Sequence, residues 1–375
     1  MKIERIKKDE NPLINSYLMG DICEFRRLIE DGADVNCLDE IKMTLISLIV
    51  GNIAKIENEK NNDFFDILLE NNVNINYQKD SVFLLYSSMR CDNKYVFKKL
   101  INENIDINSS DYADSHPYHN NPIIFHAIKF DEYYYLDLLL NKNLDINSVN
   151  ISEETILNAF IRNRTNLSHD KSIEIFERLI DLGADVNARG YRSMQAIHCA
   201  TYMKRKYHLL EFLLNKSNNV QINSRDEDGN TSLIIAARFN NIAACDILLK
   251  NGANPGITNP YGHSALSISI EHDDYKMFDL LLKNYAAQQT LDNNNCNILH
   301  QLIKDGWEYE QNYDKYYKKI IKKHPSLLFD KNKDGKTPLD LLVKKDKIHP
   351  KKEFFDDIVK KLNYSKSNTS NNMSL

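Results

Sequence analysis

Residues 330–337, DKNKDGKT, hold groups that suit two chemistries at once. Gly335-Lys336-Thr337 is the ending of a phosphate-binding loop, and Asp330, Asn332 and Asp334 ahead of Gly335 open like a calcium loop. A phosphate loop needs a glycine five positions before its Gly-Lys, so that bare N–H groups can cradle the phosphates, and Asp330 stands there. Pro338 removes a further donor. A calcium loop needs a bidentate glutamate at its twelfth position, which is Leu341. The stretch therefore reads as a tight turn and a helix capped by Thr337. Asp114, His116 and His119 in DSHPYH, with His126 beyond, have metal-ligand spacing, but one polar loop supplies nothing rigid to orient them, and a solvated loop is expected. His198 and Cys199 are neighbours on a helix and point about 100° apart, too far to share a nucleophilic site. Asp226 and Asp228 in SRDEDGNT have turn composition rather than that of paired acid and base. No catalytic residue, metal or cofactor is expected.

Composition agrees with a folded, non-basic chain: 375 residues, 42% hydrophobic, 27% charged, net charge −5. The six cysteines are scattered without a Cys-x-x-Cys, which argues against zinc ribbons and disulfide scaffolds and for a reducing compartment. The N-terminus MKIERIKKDENP lacks the apolar core of a signal peptide, and no apolar run approaches a membrane span, so no membrane partner is expected. Residues 301–375 carry 17 Lys plus Arg against 11 Asp plus Glu, a local excess of +6. Tyr313, Tyr316, Tyr317, Ile320 and Ile321 recur there at helical spacing, so they read as the buried stripe of a helix with wet lysines rather than a nucleic-acid site.

The elements that would carry these residues repeat. TSLIIAARFNNIAACDILLKNGANPG begins at 231, SALSISIEHDDYKMFDLLLKNYAAQQ at 264 and NILH at 297, each 33 residues after the last. Further starts fall at 11, 43, 81, 121, 154, 195 and 337, about ten units. Asn11, Asn121, Thr231, Ser264, Asn297 and Thr337 are placed to cap a first helix. A second helix follows, its apolar stripe read through Ile247 and Leu248, and through Leu280 and Leu281. It stops at the glycine of DGADVN, LGADVN or NGANPG, which tolerates the left-handed conformation; Asn72, Asn104 and Asn143 hold that place in other units. A polar hairpin-like loop then leads to the next cap.

A frame of TPLH…A…G…LLL…GADVN over about 33 residues resembles the ankyrin repeat family. The resemblance implies an all-α repeat solenoid, an ankyrin-type stack of about ten helix-turn-helix units with hairpin-like finger loops. Residues 1–10 would be a lead-in, 11–362 the array, 337–362 its capping repeat and 363–375 a disordered tail. Insertions near 53–62, 108–121 and 163–170 would be surface protrusions. His198 and His300 occupy the family's histidine place, where the ring would bond loop to helix. The implied function is a non-enzymatic, intracellular scaffold that binds a partner protein, with a monomer as the default state. Finger tips and first helices of the units starting at 154 to 264 would carry the site: Arg189, Tyr191, Arg192, Arg225, Asp226, Asp228 and Tyr261 on fingers, with Tyr202, Arg205, Arg238 and Phe239 near first helices. HPKKEFFDDIVKKL (349–362) weakly resembles an F-box-like segment, which keeps a ubiquitin-ligase adaptor as the alternative; Phe354, Phe355, Ile358 and Leu362 there also suit a capping helix. The Asn-, Lys- and Ile-rich usage resembles ankyrin proteins of intracellular bacteria and large DNA viruses, which makes a host protein an expected partner in a host cytoplasm.

Overall fold

Each start-and-stop segment folds around a short first helix, and nine of the ten add a second among the described residues of the computed structural model. Those residues are 11–40, 42–51, 58–77, 80–108, 121–129, 133–163, 167–217, 219–285, 294–305, 314–344, 347–348, 353 and 355–360. The chain divides into two compact units, Met1–Tyr191 and Arg192–Leu375. In the first, the pairs are α1 (Pro12–Leu18) with α2 (Ile22–Glu30), α3 (Leu45–Gly51) with α4 (Asn58–Glu70), α5 (Asp80–Arg90) with α6 (Lys94–Asn102), α7 (Ile123–Lys129) with α8 (Tyr133–Leu140), and α9 (Ile156–Arg162) with α10 (His169–Asp181). In the second they are α11 (Ala196–Tyr202) with α12 (Tyr207–Lys216), α13 (Ser232–Arg238) with α14 (Ile242–Lys250), α15 (Ala265–Glu271) with α16 (Tyr275–Asn284), and α17 (Ile298–Asp305) with α18 (Asp314–Lys323). The tenth segment supplies α19 (Pro338–Leu341) and a small antiparallel hairpin of β1 (Val343–Lys344) and β2 (Lys347–Ile348). Each unit is an all-α repeat stack, the expected class.

Among first helices, α11, α13 and α15 are buried along their whole length up to the last residue. Residues 232–237 of α13 and 265–270 of α15 are all buried, and their Ser and Ala side chains let neighbouring backbones approach. The buried serine hydroxyl of Ser269 is satisfied by donating to the Leu266 carbonyl at 2.7 Å. Second helices bury one stripe: Ala244, Cys245, Leu248 and Leu249 in α14, and Met277, Phe278, Leu281 and Leu282 in α16. The stripe is therefore one residue out from the sequence reading, with Ile247 and Leu280 half-buried at its edge. Tyr316, Tyr317, Ile320 and Ile321 of α18 are buried, as their spacing predicts, whereas Tyr313 lies outside the described residues.

Caps form as expected at Asn11, Thr231, Ser264, Asn297 and Thr337, each accepting a first-turn N–H. Asn121 does not cap. Helix α7 starts one residue late, after Pro122, and the Asn121 Oδ1 accepts instead from the Ile151 N–H of the next finger at 2.8 Å. Gly32, Gly183 and Gly252 take the left-handed stop with φ of 94°, 95° and 87°, and Asn72 and Asn104 do so at 57° and 55°. Asn143 does not, because α8 ends at Leu140 and the Leu144 N–H closes on the Lys142 carbonyl at 2.9 Å. Left-handed residues recur at two further places, between the helices of a pair (Gly20, Asp92, Asn240, Asp273) and at finger tips (Lys42, Glu153, Arg192).

The loops are joined by side-chain amides. In each Asp-x-Asn or Asn-x-Asn ending, the first residue closes a turn, as when Asp145 Oδ1 accepts from the Asn147 N–H at 3.3 Å. The second reaches the following loop. Asn36, Asn76, Asn108 and Asn147 accept the N–H of Asn74, Asp106, Asp145 and Asp185 at 2.7 to 2.9 Å. The Nδ2 groups of Asn76, Asn108 and Asn147 also donate to the carbonyls of Asn104, Asn143 and Gly183. In the second unit Asn223 accepts from the Asn254 N–H at 2.9 Å. Single antiparallel bridges, Leu38 with Thr44, Val149 with Thr155 and Thr258 with Ser264, close the finger loops.

Second helices are also cross-linked by charge. An acid on one pairs with a base on the next: Asp66 with Lys99 at 3.5 Å, Asp137 with Arg178 at 2.5 Å, and Asp279 with Lys319. Tyrosine hydroxyls of second helices donate back to left-handed aspartates of the preceding pair, Tyr135 to Asp92 at 2.9 Å and Tyr316 to Asp273 at 2.5 Å. Near the C-terminus, Phe355 is fully buried with its ring 5.1 Å from that of Tyr317, and Ile358 is half-buried; Phe354 and Leu362 lie outside the described residues.

Replacing Asn147 by Ala removes both bonds to the next loop, and a loss of about 1–2 kcal/mol is expected in the urea unfolding curve of the intact chain. His324 gives a pH dependence. It is half-buried beside Tyr285 and Lys323, and burial first, then the Lys323 charge, hold its pKa below 6.5. As pH falls through 6.5 the unfolded chain takes up a proton that the folded chain refuses, so stability drops on acidification and gains nothing above that pH. The unfolding midpoint at about pH 5.5 should lie below that at about pH 7.5, and His324→Phe should flatten the difference.

Candidate functional site

The residues expected at the site divide between two places in the repeat. A finger precedes each first helix, so finger residues lie at its N-terminal end, whereas Tyr202, Arg238 and Phe239 lie at the C-terminal end. The seven-residue helices between them span about 10 Å. Arg189 and Tyr191 belong to the first unit, where both are exposed, Tyr191 by 50%.

In the second unit most finger residues are held by the fold. Arg225 Nη1 donates to the Gly229 carbonyl at 2.8 Å and to the Thr258 carbonyl of the following finger at 2.6 Å. Asp226 closes its own turn by accepting the Asn230 N–H at 2.8 Å. Asp228 pairs with Arg192 at 2.7 Å, and Glu227 stands 3.5 Å from the same guanidinium. The Asp228 charge, with help from Glu227, raises the Arg192 pKa. Tyr261 is different, for its backbone N–H bonds Asn259 while its side chain is 75% exposed.

At the other end, Tyr202 and Phe239 from neighbouring repeats meet edge to face with centroids 4.6 Å apart, yet remain 49% and 39% exposed. Arg205 and Arg238 stand exposed beside them. Lys204, which the sequence reading passed over, joins them as an exposed cation; the run YMKRK in place of a short inter-helix turn was its signal.

The residues with possible chemistry have other uses. His198 Nδ1 accepts the Gln195 N–H at 3.1 Å and its Nε2 lies 3.1 Å from the Ser224 carbonyl; His300 Nε2 lies 2.9 Å from the Lys336 carbonyl. Both rings bond helix to loop, as the resemblance implies. Burial pushes the Cys245 thiol up to about 12. Around Gly335, Asn332 Oδ1 accepts the N–H groups of Asp334 and Lys336, each at 3.0 Å, and Asp340 completes a capping box with Thr337. Asp114, His116 and His119 lie outside the described residues, and among the described residues no group of three or more His, Cys, Asp or Glu could hold a metal. A cavity of about 420 Å³ in the first unit is lined by Phe125, Ile128, Lys129, Glu154 and Arg162 among others. Its Glu154 is taken by Arg162 at 2.8 Å and by Asn150 at 3.0 Å.

Residues 165–259 and 197–293 match the family model of ankyrin repeats. The chain is similar, at 28% identity over 142 residues, to transient receptor potential cation channel subfamily A member 1 of Homo sapiens, a match covering 36% of this chain and 12% of that one. ANK repeat-containing protein nipk-1 of Caenorhabditis elegans is 29% identical over 126 residues, 30% of this chain and 20% of its own length. Putative ankyrin repeat protein FPV031 of fowlpox virus is 28% identical over 148 residues, 37% and 41%. The chain thus spans less than half the length of each of these relatives.

Arg225 and Tyr261 separate architecture from surface. Arg225→Ala should lower the unfolding free energy by about 1 kcal/mol, since it cuts a tie between fingers. Tyr261→Ala should leave it within about 0.5 kcal/mol. Urea denaturation of the two variants checks both.

Proposed function

We propose, from the premise that the chain belongs to the ankyrin repeat family, that it is a non-catalytic recognition protein that binds a partner protein through exposed side chains of its second unit. Ankyrin repeats generally mediate protein–protein interaction, and the family is typically non-enzymatic. The observation that carries the reading is the Tyr202–Phe239 pair, two large rings from adjacent repeats that touch each other and are left in water. Tyr261 and Arg192, on finger loops of the same unit, are further contacts. Among the polar finger residues, Arg225 ties neighbouring fingers and Asp226 closes its own turn.

No helix among the described residues is long and apolar enough to cross a membrane. The similarity to a putative ankyrin repeat protein of a poxvirus favours a host protein as the partner. Half of the F-box-like segment lies outside the described residues, and its Phe355 is taken up in packing against Tyr317.

Affinity purification with mass spectrometry, using tagged wild-type chain and a Tyr202→Ala, Phe239→Ala, Tyr261→Ala variant, tests the reading. The variant should keep its helical circular dichroism and lose the specific partners. A variant that retains every partner sinks the proposal.

A further inference from the structure

The second unit carries an exposed cluster of one charge sign around its exposed aromatic pair. Lys204, Arg205 and Arg238 are exposed, and none has a hydrogen bond or ion pair among the described residues. Other exposed cations are paired, as Arg192 is with Asp228 and Lys315 with Asp273; these three are not. The acids at the corresponding turn of the next repeat are already engaged: Asp273 accepts from Lys315 and Tyr316, and Asp274 caps α16 through the N–H groups of Lys276 and Met277.

Arg238 lies in the last turn of α13, where the helix dipole favours a cation, but Lys204 and Arg205 have no such support. Lys204 and Arg205 stand just ahead of α12, whose N-terminus already bears the positive end of the helix dipole. That helix has no side-chain cap and no acid in its first turn. The arrangement thus concentrates positive potential at one place in a chain whose net charge is −5. Between the cations lie two rings in edge-to-face contact, which offer an apolar platform.

We infer that this turn edge, formed by Tyr202, Lys204, Arg205, Arg238 and Phe239, docks an acidic segment of a partner protein that presents a large apolar side chain among its carboxylates. The inference rests on the protein-recognition reading and adds the partner's chemistry. Carboxylates answer the three unpaired cations, and the apolar side chain covers the Tyr202–Phe239 pair. A protein segment fits better than a nucleic-acid strand. The patch is confined to two adjacent turns, too short a track of cations for a continuing phosphate backbone.

The test is fluorescence polarisation with the full chain and a short fluorescein-labelled peptide of alternating Glu and Asp around one Trp. Wild type should bind it saturably, more weakly as salt rises from about 0.05 M to about 0.15 M. Arg205→Glu with Arg238→Glu, and separately Phe239→Ala, should each weaken binding at least about tenfold while leaving circular dichroism unchanged. Absence of saturable binding to the acidic peptide, or equal binding of a Lys-for-acid peptide, overturns the inference. So does an equally tight single-stranded DNA oligonucleotide that depends on Arg205 and Arg238, or a dimer in sedimentation that the charge reversal dissolves. Partner capture separates the two levels. Loss of partners in the aromatic variant but not in the charge reversal ends the acidic inference and leaves protein recognition standing. Indifference of capture to both ends the parent reading.

Discussion

At five loops an asparagine side chain ties a repeat to its neighbour. The amide of Asn36, Asn76, Asn108, Asn147 or Asn223 accepts a backbone N–H of the loop that follows. Three of these amides both accept and donate, which fixes position as well as distance. Loop register follows, and helix register follows from the loops. The helices between can then vary, as α4 and α10 do with 13 residues against 9 in α2, α6 and α14.

Generic packing would allow repeats to stack in more than one order, and charge narrows the choice. Acid-to-base pairs link second helices in both units, Asp66 to Lys99 and Asp279 to Lys319. Exposed pairs of this kind add little stability, but a like-charge neighbour would be disfavoured, so their value lies in specificity. Tyr135 and Tyr316 add a directional bond to an aspartate held left-handed in the preceding pair. A tyrosine without that aspartate would bury a hydroxyl unpaired.

Architecture and recognition draw on the same residue types, and the second unit shows how they separate. Arg225, Asp226 and Asp228 have the composition of a binding finger, but Arg225 and Asp228 are occupied by neighbouring loops and Asp226 by its own turn. Tyr202, Phe239, Arg205 and Arg238 lie at the opposite end of the first helices, and none of their side chains has a hydrogen bond or ion pair among the described residues. Side chains there are free to answer a partner, and exposure without internal use is what distinguishes them.

Caps, left-handed stops and the repeat period were legible in the sequence because each is set within a few residues: Thr231 reaches a backbone three positions on, and Gly252 needs only its own φ. So were the class of fold and the buried stripe of α18. The stripe of α14 came out one residue displaced for want of a second surface to orient it. Which residues serve the stack and which face solvent was decided by contacts about one repeat away. Arg225 finds Thr258 and Asn121 finds Ile151 only after the helices between them have packed. Local chemistry names the element, whereas the partner of a side chain depends on where the next repeat comes to rest.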